Sequence, residues 1–229
     1  MSKKAIVTGH SKGLGAAIAA QLEADGWVVL GVSRSAGERV DLGQPSALTE
    51  WISSGALAAF LADASDVILV NNAGAVSPIG FVGTLDPAQI EQCVTINVTA
   101  PLILTDAVVR LRREGTPLRV VHVSSGAARA AHSTWSTYCA SKAAVDMHAL
   151  TLAEEGLDGV RVASIAPGVV DTDMQEHIRA TDFPARDRFR AMKDKGRLST
   201  PEDAAAKILA LVNRADFGQK VLADVRDAG

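Results

Sequence analysis

A single tyrosine, Tyr138, and two cysteines, Cys93 and Cys139, stand in the 229 residues. Two cysteines cannot build a disulfide framework, and no metal-ligand spacing occurs, so no metal site is expected. A reducing, cytoplasmic setting fits. Charge of one sign is not concentrated anywhere: 23 Lys and Arg stand against 26 Asp and Glu, scattered, for a formal net charge of −3. That excludes a nucleic-acid footprint and a membrane-binding face. The first apolar run, AIVT at 5–8, is too short for a signal-peptide core or a membrane span. No linker, repeat or low-complexity segment interrupts the chain, so residues 1–229 read as one domain.

What is present is alternation. Short β-branched runs at 5–8, 27–33, 66–72, 118–125, 160–167 and 219–224 read as strands, with a very short one just before Asp41. Between them, 13–25, 45–62, 87–113, 136–156 and 201–214 read as helices, with a kink expected at Pro101 and a cap at Ser199 or Thr200. Continuous apolar strands separated by helices predict an α/β domain: a mostly parallel sheet of roughly seven strands, covered on both faces. The stretch 168–198, rich in charge, reads as one long irregular substrate loop.

In such a sheet, ligands bind beyond the carboxyl ends of the strands. TGHSKGLG at 8–15 follows the first strand, with Gly9, Gly13 and Gly15 opening a helix and Ser11, Lys12 and Leu14 between them. Small residues let the backbone approach a pyrophosphate, and the helix N-terminus offers free N–H groups. The spacing is G-x-x-x-G-x-G, neither the G-x-G-x-x-G fingerprint nor a P-loop. Arg34 ends the second strand, where an arginine suits the 2′-phosphate of NADP(H) and an acid would suit NAD. Lys12 can reach the same phosphate; both are otherwise ordinary exposed cations. Asp41, followed by Leu42, either bonds an adenine amine or ends its strand. Asn72, Ala73 and Gly74 in NNAG, Ser124 and Ser125 in SSG, and Pro167, Gly168, Val170 and Thr172 in APGVVDT fall on the same edge.

Tyr138 and Lys142 are i and i+4 on one helix, so their side chains share a face. A phenol titrates at about 10 in isolation, and a nearby cation lowers that value. The pair is suited to general acid–base chemistry.

The set TGHSKGLG, NNAG, Ser125, Tyr138-x-x-x-Lys142, and Pro167-Gly168 with Thr172 resembles the short-chain dehydrogenase/reductase family, in order and over nearly the whole chain. Ser125 stands thirteen residues before Tyr138, the family's usual spacing, which favours it over Ser124. The resemblance implies a doubly wound Rossmann-type fold, a nicotinamide cofactor and a Ser–Tyr–Lys site with an assisting asparagine, matched by Asn97. By that resemblance Tyr138 gives its proton to a carbonyl oxygen, Ser125 positions that oxygen, and Lys142 lowers the tyrosine pKa and binds the nicotinamide ribose. Asn97 orders a relaying water, and Thr172 with the Val170 backbone holds the carboxamide. Homodimers or homotetramers are common in the family.

WSTYCASKAAVDM, APGVVDTDMQ and the run from Asp182 to Ala205 further resemble the sepiapterin reductase branch, to which bacterial benzil reductases belong. The substrate implied is a small carbonyl compound, a ketone or 1,2-dicarbonyl. Trp135 either contacts it or packs at a subunit contact. Cys139 reads as a small helix residue, and His132 and Arg129, in the loop before the helix, read either as pocket residues or as plain surface. Asp224, seven residues after Phe217, either anchors a pterin edge, as an aspartate at that spacing does in this branch, or is a surface acid. An NADPH-dependent carbonyl reductase is the reading favoured. A silent NADP-binding sensor would lack one of Ser, Tyr or Lys, and a methyltransferase has no use for the Tyr–Lys pair.

Overall fold

Every neighbouring pair of strands in the sheet runs parallel. A computed structural model describes residues 2–228. The strands are β1 (Ser2–Thr8), β2 (Val28–Ser33), β3 (Glu38–Arg39), β4 (Ala64–Asn71), β5 (Leu118–Val123), β6 (Val160–Ala166) and β7 (Leu222–Asp224). They lie in the order β3-β2-β1-β4-β5-β6-β7. The helices are α1 (Gly13–Ala24), α2 (Pro45–Ser53), α3 (Ala56–Leu61), α4 (Pro87–Val94), α5 (Ala100–Leu111), α6 (Ser136–Glu154), α7 (Asp173–Ala180), α8 (Arg186–Asp194) and α9 (Pro201–Val212).

Period-two alternation divides the buried side chains between two cores. Ala5, Val7, Ile68, Val70, Val121, Val123, Ala163 and Ile165 point to the face covered by α1 and α9. Ile6, Val67, Leu69, Val120 and Val162 point to the face covered by α2, α3, α5 and α6. Both faces being buried is why the strands read as continuous apolar runs. The chain leaves β1 toward one edge and returns at β4 on the other side, and that switch point opens a crevice at the carboxyl ends.

Three expectations need correction. The predicted helix 45–62 is two helices, broken at Gly55, whose φ of +86° is left-handed. The kink expected at Pro101 is a π-helical turn at Thr95–Thr99, where the Ala100 N–H bonds the Thr95 carbonyl. Pro101 lacks the N–H that would have met the Asn97 carbonyl in a regular helix. The stretch 168–198 is not irregular: it holds α7 and α8. Only Gln175 and Ile178 are buried in α7 and no residue is buried in α8, so neither shows an apolar stripe in sequence. The Thr200 hydroxyl caps α9 by accepting from the Asp203 N–H at 3.0 Å. The continuous run Pro87–Leu111 has the length and hydropathy of a membrane span. Its Ala100, Leu104, Ala107 and Val108 nevertheless pack into the second core.

Candidate active site

The expected site residues, Asn97 excepted, line one cleft of about 1350 Å³ at the carboxyl ends of the strands. One wall is the glycine loop. Gly9 and Gly13 hold φ of +66° and +56°, a region glycine enters freely. A Cβ on Gly15 would stand 2.3 Å from the Gly9 oxygen and 2.4 Å from Asn72 Nδ2, so only glycine lets α1 start this close to the strand end. Asn72 Nδ2 donates to the Thr8 carbonyl at 2.9 Å, and the Thr8 hydroxyl accepts from the N–H groups of Asn72 and Ala73 at 2.9 and 3.0 Å. The ends of β1 and β4 are thereby tied together. The first turn of α1 has no side-chain cap and presents free N–H groups to the cleft, as an anion-binding helix end does.

Arg34 is exposed at the end of β2 and has no ion-pair partner among the described residues. Lys12 is paired with Asp173 at 2.5 Å, so it is not the free cation expected. Asp41 Oδ1 accepts from the Gly43 N–H at 2.9 Å, closing the turn that ends its strand.

The opposite wall is α6. Tyr138 and Lys142 are both buried in the protein and face the cleft. Ser125 stands beside Tyr138, and its Oγ accepts from the Ala127 N–H at 3.1 Å. Ser124 turns away and donates to Asp146 at 2.6 Å. Lys142 Nζ donates to the Val123 carbonyl at 2.8 Å and lies 5.8 Å from the centre of the Tyr138 ring. Asn97, on the π turn, stands behind Gly74: a Cβ there would be 3.4 Å from Asn97 Oδ1 and 3.5 Å from Lys142 Nζ. The Asn97 amide donates to the Ala75 carbonyl at 2.7 Å and to Ser141 Oγ at 2.9 Å, and accepts from the Ala75 N–H at 2.8 Å.

The electrostatics differ from expectation. Burial pushes the Tyr138 phenol up to about 12, with the neighbouring Ser125 hydroxyl opposing. The lowering expected from Lys142 does not dominate, because taking the phenol out of water disfavours phenolate and the ammonium is engaged by Val123. Burial brings Lys142 down to about 8, opposed by Cys93 and Asp146.

The family model described as short chain dehydrogenase matches residues 3–182. The chain belongs to the short chain dehydrogenase family. It is 34% identical to a benzil reductase ((S)-benzoin forming) of Bacillus cereus, over 93% of this chain and 95% of that protein. It is 32% identical to a sepiapterin reductase of Meriones unguiculatus, over 97% and 95%. A short-chain dehydrogenase/reductase from Burkholderia vietnamiensis superposes with a TM-score of 0.72 at 39% identity, covering 99% of this chain and 98% of that one. A short chain dehydrogenase from Burkholderia cenocepacia J2315 in complex with NADP superposes with a TM-score of 0.77 at 30% identity, covering 96% and 94%. Family members are oxidoreductases that bind a nicotinamide cofactor. The glycine cradle, the free N-terminus of α1 and the cleft reaching from Arg34 to Tyr138 fit such a dinucleotide.

The end of the cleft beyond Tyr138 in this short chain dehydrogenase is aromatic. Trp135 is buried, edge-on to Tyr138 at 5.6 Å between ring centres and stacked on Phe189 of α8 at 5.2 Å. Phe183 packs on both Trp135 and Phe189. His132, open between pocket and surface from sequence, lies 5.5 Å from the Trp135 ring and lines the cleft. Arg129, left open in the same way, ion-pairs with buried Asp146 at 2.9 Å. Asp224 lines the cleft, but both its oxygens are engaged by the Arg226 guanidinium at 2.7 and 2.8 Å. Phe189 was missed because nothing in the charged sequence of α8 marks one face as buried; an isolated aromatic among arginines is the one trace. Asp171, which accepts from Lys193 and Arg179 and so ties α8 to the end of β6, left no signal.

Proposed function

We propose that the chain is an NADPH-dependent carbonyl reductase acting on 1,2-dicarbonyl compounds, with Tyr138 as the general acid. One observation carries the reading. A buried phenol, held protonated through neutral pH, meets a serine hydroxyl at the open end of the cleft with a lysine one turn behind. Two neighbouring hydroxyls lining the cleft suit a carbonyl oxygen that gains negative charge. A nicotinamide dinucleotide held in the cleft would supply the hydride. Tyr138 passes its proton to the oxygen, completing the alcohol, and Lys142 stabilises the phenolate left behind. Ser125 fixes the oxygen by hydrogen bonding. Asn97 holds the Ala75 backbone and keeps Gly74 against the lysine.

Gly9 to Gly15, Asn72 to Gly74 and Pro167 to Thr172 are the residues that would hold the dinucleotide. Arg34, unpaired at the end of β2, supports preference for the 2′-phosphate. The NADP complex of the Burkholderia cenocepacia relative supports the same choice. The Trp135–Phe189 wall supports a planar or aryl substrate. The indole N–H of Trp135 is buried without a partner among the described residues and suits a second carbonyl oxygen. Because Arg226 already engages Asp224, a diketone is favoured over a pterin. Exposed Val94 on α4 and Met147 and Leu150 on α6 support self-association through these helices. Mixing the protein with NADPH and benzil, then sepiapterin, and following nicotinamide absorbance tests the reading. Oxidation with benzil at the higher kcat/KM is expected. No oxidation with either compound would overturn it in favour of a silent cofactor-binding protein.

A further inference from the structure

Below the Ser–Tyr–Lys group lies a charge that the reduction so far does not use. Asp146 follows Lys142 by one turn and Tyr138 by two turns on α6, on the same helix face. It is 5% exposed. Its Oδ1 accepts from the hydroxyls of Ser124 and Ser164, each at 2.6 Å. Its Oδ2 accepts from Arg129 Nε at 2.9 Å. Arg129 donates further to the Ala223 carbonyl at 3.1 Å and the Ser164 carbonyl at 3.2 Å. One carboxylate thus joins α6 to the end of β5, to β6 and, through the arginine, to β7. A buried carboxylate is costly unless fully bonded, and cohesion alone at this point needs no charge. The segment it pins carries Ser125: Ser124 precedes that serine, and Arg129 closes the short turn after it.

We propose that Asp146 is a positioning residue for the carbonyl reduction, holding the Ser125 turn against Tyr138 and keeping Lys142 charged. The proposal rests on reading Ser125, Tyr138 and Lys142 as catalytic. Ser125 is half-buried, and among the described residues its Oγ hydrogen-bonds only with the Ala127 N–H, so its place depends on the anchored residues to either side. Lys142 is faced by Cys93 from α4 and by His122 from β5. Burial pushes the Cys93 thiol up and the imidazole of His122 down to about 3, so both are neutral at neutral pH. Asp146, itself paired with Arg129, supplies the negative charge that opposes loss of the lysine proton.

Asp146→Asn keeps the volume and removes the charge. The readouts are kcat and KM for benzil, the pH dependence of kcat, the Kd for NADPH from fluorescence titration, and the melting temperature, with Tyr138→Phe alongside. Expected is a fall in kcat of roughly tenfold to a hundredfold, the scale of a misplaced catalytic group. The Kd for NADPH stays near the parent value, and the alkaline limb of kcat moves to lower pH because Lys142 sheds its proton more readily. A parental kcat overturns the proposal. So does a lower kcat with an unmoved limb and a lower melting temperature, which marks a purely structural role. If Asp146→Asn does not fold, Ser124→Ala decides: a several-fold lower kcat at unchanged melting temperature supports the proposal, and parental kcat overturns it. Parental turnover in Tyr138→Phe sinks the catalytic reading itself, and the proposal with it.

Discussion

Gly15→Ala tests whether the glycine loop is a fitted cradle or a plain strand-to-helix turn. The added Cβ would lie 2.3 Å from the Gly9 oxygen, 2.8 Å from the Gly9 carbonyl carbon and 2.4 Å from Asn72 Nδ2. Ordinary contact begins at 3.4 Å, so something must yield by about 1 Å. Gly9 is fixed by its N–H bond to the Val32 carbonyl at 2.8 Å. Asn72 is fixed by its bond to the Thr8 carbonyl. The start of α1 therefore moves outward, away from both strand ends. Overpacking of this kind costs about 1–3 kcal/mol, which in a chain of this size lowers the melting temperature by roughly 2–12 °C. The same displacement shifts the free N–H groups that face the dinucleotide. A misplacement near 1 Å can cost on the order of a hundredfold in function, so Kd for NADPH rises at least about tenfold. Calorimetric melting and fluorescence titration read the two effects. An alanine variant that melts and binds like the parent would refute the cradle.

Arg34→Ala removes an exposed, unpaired guanidinium, so stability holds while the ratio of Kd for NADH to that for NADPH falls by about tenfold or more, the scale of one charge-assisted hydrogen bond. The pH profile follows from Lys142. With its value near 8, kcat for reduction is flat below that pH and falls above it as the ammonium deprotonates; a profile level to pH 10 contradicts the role. Trp135→Ala deletes four ring contacts, of which those with Tyr138, Phe183 and Phe189 are worth about 0.5–1.5 kcal/mol each. It raises KM for benzil about tenfold or more and leaves Kd for NADPH unchanged, as steady-state kinetics and titration can check.

Parallel pairing and the cleft edge were legible because double burial writes itself into composition: DVILVNN and LRVVHVSS have no solvent face to alternate against. The strand order was not, since composition does not say which strands neighbour. The glycines were legible because their spacing answers a steric need that no other residue meets. The kink near Pro101 was legible, but not its π character, since that depends on which carbonyl the Ala100 N–H finds. The helices α7 and α8 were not legible because they bury almost nothing and ion pairs leave no period. The pairing of Tyr138 and Lys142 on one face of α6 was legible from spacing. Their electrostatics were not, because spacing says nothing of desolvation, and burial sets both values. Arg129 and His132 could not be assigned between pocket and surface for a related reason: a polar side chain in a loop reads as solvated until the fold places Asp146 or Trp135 beside it.

The central claim is that this chain reduces a carbonyl with the Tyr138 proton. The most direct measurement is single-enzyme turnover of NADPH with benzil by the parent and by Tyr138→Phe, with the Kd for NADPH measured on both. The phenylalanine keeps the ring and its contact with Trp135 and removes only the donor. The account predicts a fall in kcat of at least about a hundredfold, as for loss of a general acid, with the Kd for NADPH essentially unchanged. Near-parental turnover by Tyr138→Phe would contradict it.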